Sequence, residues 1–265
     1  MIIQNRSHHN AAASLWTLLH PRGQMPLFVG FLFLGVLTAW LSVTRLSMPL
    51  WSGVVVVLAL LAYPAVRKWC ADYERLGLPV TVLSILLATQ SFHTVEHIAQ
   101  WVQYYILAYP LQESSGLISP LNAEIVHFGW NVGVLLVVIY LIDSGMRNGW
   151  MWLLLLWAGA HTAEHTYMFV TYLQEVQWLT SSGASISAAQ GLPGVLGKGG
   201  WLANNAATSG PIAFLCTFAP GLANAPRLDV HFWWNVGEIA LLLPAAHSGI
   251  RETIVQGDER ASREL

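Results

Sequence analysis

Two short strings concentrate the chemistry of this chain: His93-Thr94-Val95-Glu96-His97 and His161-Thr162-Ala163-Glu164-His165. Helix positions i, i+3 and i+4 share a face, so each string turns two imidazoles and a carboxylate the same way. A second pair is His127-Phe128-Gly129-Trp130-Asn131 and His231-Phe232-Trp233-Trp234-Asn235, with each His and Asn one turn apart. Imidazole suits Zn, Cu, Fe and Ni, and carboxylate adds a harder oxygen. The expected ligands are therefore His93, Glu96, His97 and His127 with His161, Glu164, His165 and His231. Asn131, Asn235, Thr94 and Thr162 are expected to orient ligands, since metal-bound His requires such support. Glu238, seven residues after His231, is read as a proton relay or as a carboxylic acid kept neutral by burial.

These strings belong to a longer duplication. Ser144-Gly145-Met146-Arg147 recurs as Ser248-Gly249-Ile250-Arg251, at the same offset of 104 as the two His-Phe strings. The His-Thr strings are offset by 68, so the second copy carries 36 additional residues between its two helices. Each copy offers three His and one Glu, which predicts two near-equivalent metal ions. Helix bundles build dinuclear sites from inward Glu and His in this way. Tyr104 and Tyr172 also match, and anchoring at a membrane interface is their expected role. Glu238 breaks the symmetry, because its counterpart is Val134.

The elements that must position these residues are membrane helices. Apolar stretches near the ~20 residues needed to span a bilayer run from about 26 to 44, 50 to 66, 78 to 107, 122 to 142, 149 to 173 and 228 to 246. The expected fold is an all-α integral membrane protein with six transmembrane helices, the last four a duplicated two-helix unit forming a four-helix bundle. The expected parts are 1–77 (an N-terminal segment and two scaffold helices), 78–147 and 148–251 (the two repeats) and 252–265 (a tail). Residues 174–227 form a long connection rich in Gly, Ser, Ala and Asn, which reads as a lid, a re-entrant piece or a disordered loop. Within it, Pro211–Ala219 is apolar but too short to span. Leu15–Leu19 is short enough to lie on the membrane surface, and the first 25 residues do not read as a signal peptide.

Both termini are expected on the cytoplasmic side. That orientation puts nine of the twelve Lys and Arg inside, as the positive-inside rule requires. The His strings then fall in the outer half of the bilayer.

Composition supports the membrane reading. Hydrophobic residues make up 55% of the 265 and charged residues 10%, against about 25% charged in a soluble domain. A net charge of −2 gives no footing for nucleic-acid binding. Cys70 and Cys216 form no disulfide framework and join neither string, which argues against a thiolate site. Thirteen Trp suit membrane interfaces, with Trp130, Trp233 and Trp234 alternatively lining a pocket for an apolar substrate.

Three functions follow from these residues. The first is a membrane redox metalloenzyme, oxidase- or oxygenase-like, with two Fe or Cu ions (Zn being the other option) and an apolar or membrane-soluble substrate. The second is a haem-binding electron-transfer protein, for which six His and two Glu exceed what one bis-His haem needs. The third is a metal transporter or delivery protein, whose path beyond the cluster would have only Glu238, Asp143 and His247. A purely structural reading pairs Glu96 and Glu164 with protonated histidines.

Overall fold

A computed structural model describes residues 15–189, 191–205 and 211–263, and the regular elements among them are helices without a strand. The first 14 residues, with His8 and His9, lie outside the described part. In chain order the helices are α1 (Leu15–Leu19), α2 (Met25–Leu46), α3 (Leu50–Leu76), α4 (Leu78–Tyr105), α5 (Glu124–Asp143), α6 (Gly149–Ser182), α7 (Trp201–Asn205), α8 (Pro211–Phe218), α9 (Gly221–Asn224) and α10 (Arg227–Arg263).

Four helices, α2 to α5, are long and apolar enough to cross a membrane. The 22 residues of α2 at about 1.5 Å each match a hydrocarbon core about 30 Å thick. Large apolar side chains face outward, with Phe33 71% and Leu136 60% exposed. In water such a face is a liability, whereas on helices of this length it is what lipid covers. Helices α6 and α10 have 34 and 37 residues. Their length suffices, but His161, Glu164 and His165 in α6, and Arg227, Asp229 and Glu238 in α10, dilute their apolar character. The expected apolar stretches therefore correspond to six long helices, four of which combine length with apolarity.

Chain contacts divide the protein into two compact units. The first comprises the described residues up to Phe92, Val137–Leu155 and those from Ile239 onward. Here α2 packs on α3 through small residues. A Cβ on Gly35 would stand 3.2 Å from the Val57 backbone, and one on Gly53 3.2 Å from Ala39. Small residues of this kind let membrane helices approach closely. Helix α3 continues ten residues past the expected end at Val66, because its polar residues pair. Lys68 bonds Asp72 one turn on and Ser84 Oγ at 3.2 Å, while Ser84 Oγ donates to the Leu18 carbonyl at 3.1 Å. Both charged groups are buried.

The duplicated Ser-Gly strings meet different fates. Helix α5 ends at Asp143, with Gly145 at φ +105° beyond it, whereas α10 runs through Ser248 and Gly249. Met146 and Ile250, at matching positions, are both buried. Pro211–Phe218 forms a helix of eight residues, too short to span, as expected. The second unit, His93–Leu136 with Leu156–Glu238, contains every candidate site residue.

Lys68→Met should lower stability by about 3–5 kcal/mol, because it strands Asp72 as a buried unpaired charge. Lys68→Met/Asp72→Leu should recover most of that loss in thermal unfolding of the detergent-solubilised protein. A double variant no more stable than the single would refute the pairing.

Candidate metal centre

The six repeated histidines converge within the second unit. His97 on α4, His127 on α5, His165 on α6 and His231 on α10 close a ring. Successive centroids are 5.4, 5.4, 5.1 and 5.8 Å apart around 97–127–165–231–97, and His127–His231 crosses it at 6.0 Å. His93 and His161 flank the ring one turn before His97 and His165, at 4.7 and 4.9 Å.

Several equivalent residues keep equivalent contacts. His93 packs on Trp130 at 5.2 Å and His161 on Trp234 at 5.1 Å. Asn131 Nδ2 donates to the His127 carbonyl and Asn235 Nδ2 to that of His231, both at 2.9 Å. Thr162 Oγ1 reaches the Asn131 carbonyl at 3.1 Å, and Thr94 Oγ1 the Asn235 carbonyl at 3.5 Å. Each Thr thus bonds a helix of the other sequence copy.

Three rings have their Nδ1 assigned by what faces it. His97 Nδ1 donates to Gln100 Oε1 at 3.0 Å, His231 Nδ1 to the Arg227 carbonyl at 3.0 Å, and His161 Nδ1 to Glu238 Oε2 at 2.9 Å. In a neutral imidazole the other nitrogen then carries the lone pair. This is the outer-shell arrangement that orients metal-binding histidine. Gln100 is itself held by Asn122. His127 Nδ1, His161 Nε2, His231 Nε2 and both nitrogens of His165 are buried without a hydrogen-bond partner.

His93, His97 and His127 bring ring nitrogens within 4.8 Å of one another, a grouping that could hold a metal ion. The two Nε2 atoms of His93 and His97 are 3.3 Å apart. That is the ligand–ligand edge of a tetrahedron with bonds of about 2.0–2.1 Å. The donor set therefore fits a borderline-soft divalent ion: it is all imidazole, and its nearest pair is already at ligand spacing.

The carboxylates Glu96 and Glu164 turn to the connecting loops. Glu96 Oε2 accepts from Leu117 N–H at 2.6 Å. Glu164 accepts from Leu196 N–H at 3.3 and 3.2 Å through its two oxygens. Each lies against a loop glycine, Gly116 or Gly194, where a Cβ would overlap the carboxylate. Glu96 Oε1 is buried without a hydrogen bond. Tyr104 and Tyr172 pack on Tyr105 and Phe169.

Several site residues carried no mark in the sequence. Gln100, at i+3 from His97, was findable by the same face rule. Arg227 and Glu124 were not, because they start helices far apart in the chain. They pair at 2.6 Å, with Glu124 buried. Gln100, Arg227 and Glu124 line a polar cavity of about 260 Å³ that reaches His97, His127 and His231. Protein-family models, curated proteins and solved structures give no match to this chain.

Gly194→Ala should dislodge Glu164 from the loop and raise amide exchange at Leu196 by the equivalent of about 1–3 kcal/mol, the cost of breaking a buried hydrogen bond. Gly221→Ala, whose Cβ would meet nothing within 4 Å, should leave exchange unchanged. Equal exchange at Leu196 in both variants would show that the carboxylate does not hold this loop.

Proposed function

We propose that this chain is a six-span membrane metalloprotein whose duplicated helix pairs form a four-helix bundle around a dinuclear, histidine-rich centre. In this reading both termini are cytoplasmic and the centre lies toward the outer face. The observation that carries it is the ring of four buried imidazoles, flanked by two more, with five ring nitrogens left without partners. Buried polar atoms in a native protein are rarely left so. An ion could take the lone pair of each of the four rings that carry those nitrogens, one nitrogen of His165 remaining an N–H.

His93, His97 and His127 would hold one ion, and His161, His165 and His231 the other. Gln100, Glu238 and the Arg227 carbonyl fix ring orientation, while Glu96 and Glu164 secure the loops above. Such a nitrogen-rich set favours Cu, Fe or Zn. When bound, Fe or Cu would supply electron transfer at a site whose ligands are largely buried and which a polar cavity reaches at His97, His127 and His231. We infer a redox role on an apolar, membrane-soluble substrate, because the helices around the centre expose apolar surface for such a molecule to cross.

The haem alternative is disfavoured by crowding. A porphyrin placed between any axial pair here would collide with a third ring at the same spacing. A transport path is disfavoured as well, since Asp143 and His247 are exposed on their helices rather than aligned inside.

Protein purified gently at neutral pH should contain two Fe, Cu or Zn ions per chain by elemental analysis, and no Soret band. His97→Ala and His165→Ala should each lose at least one ion, and the double variant both. Absence of stoichiometric metal, together with failure to load Fe, Cu, Zn or Mn, would overturn this function.

A further inference from the structure

The polar cavity of about 260 Å³ joins the protein surface to the histidines. Of the residues around it, Leu111, Gln112 and Gly191 are exposed, whereas His97, His127 and His231 are buried. Between them stand Gln100, Asn122, Ser115 and the Arg227–Glu124 pair. A molecule that fits these walls is small and hydrophilic.

The polar walls are not repeated in the sequence. Gln100, Asn122 and Glu124 correspond to Met168, Pro226 and Leu228 in the other copy. A larger cavity of about 480 Å³, beside Trp157 and Trp234, belongs to that other copy and has Leu222 and Val230 among its walls.

Charge distinguishes the two ends of the cluster in the same sense. His161 bonds the carboxylate of Glu238 at 2.9 Å, whereas His97 bonds the neutral amide of Gln100 at 3.0 Å. The group that could hold an ion, His93, His97 and His127, contains no carboxylate. Glu96 Oε2 is engaged by the Leu117 N–H at 2.6 Å, and in the cavity Glu124 and Arg227 offset one another. A divalent ion on these three rings would therefore carry its charge on neutral ligands alone, in a buried place where unbalanced charge is costly. Three protein ligands also leave one position of a tetrahedral ion to an outside molecule. The cavity shares two of the three rings with that group.

We propose that this cavity admits a small inorganic anion, of the size of azide or a halide, which completes the coordination of an ion held by His93, His97 and His127. The inference rests on the metal centre proposed above and gives it a water-borne ligand besides the membrane-soluble substrate. The anion donates a lone pair to the ion and balances part of its charge. Arg227 draws the anion in, and Glu124 limits that attraction. Because Gln100, Asn122 and Glu124 occur in one copy, one anion binds per chain.

The test is titration of azide into the full chain in lipid nanodiscs, loaded with Cu(II) and followed by the azide-to-copper charge-transfer absorption. The band should rise saturably to one azide per chain and be absent without copper. Glu124→Gln, which leaves the Arg227 charge unopposed, should tighten azide about fivefold. Ser115→Trp, which fills the cavity, should weaken it at least tenfold. Each variant is compared at unchanged copper content and elution volume. A copper-loaded protein without the band, or an azide affinity that neither variant changes, would overturn the site. Weaker azide binding in Glu124→Gln would overturn its preference for an anion. Copper is counted in the same samples: two ions per chain without azide binding sink this inference alone, whereas a chain that takes up no copper, and none of the other metals, sinks the metal centre with it.

Discussion

A neutral imidazole carries one N–H and one lone pair, and an apolar helix bundle answers neither. Each nitrogen left alone away from water costs about 1–3 kcal/mol. Six rings in contact cannot all satisfy one another. The protein resolves part of this locally, using Gln100, Glu238 and the Arg227 carbonyl to take one N–H each. The lone pairs left over are what suit the cluster to a cation, and His93, His97 and His127 could hold one.

Much of the surrounding architecture serves that arrangement. The loops must close over polar groups without bringing water to them, and two buried carboxylates secure them through backbone N–H groups. Glycine stands opposite each carboxylate because the approach leaves no room for a side chain. Where the loop is long, as after α6, it folds into short helices that add a wall to the cavity beside Trp234.

The periodicity of the His strings was legible because a helix places i, i+3 and i+4 on one face. Convergence was legible because ionisable groups among apolar residues have to turn inward. What the spacing could not convey was where each carboxylate would point. Glu96 and Glu164 share a face with their histidines, yet both side chains are long enough to reach past the helix end to a loop. Helix α3 runs on past the apolar stretch that ends at Val66 for a different reason. Lys68 and Asp72 look like a solvated terminus in sequence, but as a neutralising pair one turn apart they continue the helix. The Arg227–Glu124 pair joins residues 103 apart, and no local pattern announces such a meeting.

Glu238 stands where the other copy has Val134. A ring of imidazoles with matched neighbours on both sides has no front or back, so charge placed in it would have no preferred end. One carboxylate against His161 changes that. It gives His161 Nδ1 a hydrogen-bond partner at 2.9 Å, and the ring stacked on that histidine is Trp234. Together with Gln100, which faces His97 where the other copy has Met168, that one side chain makes the two ends of the cluster chemically different, so equivalent histidines need not behave alike.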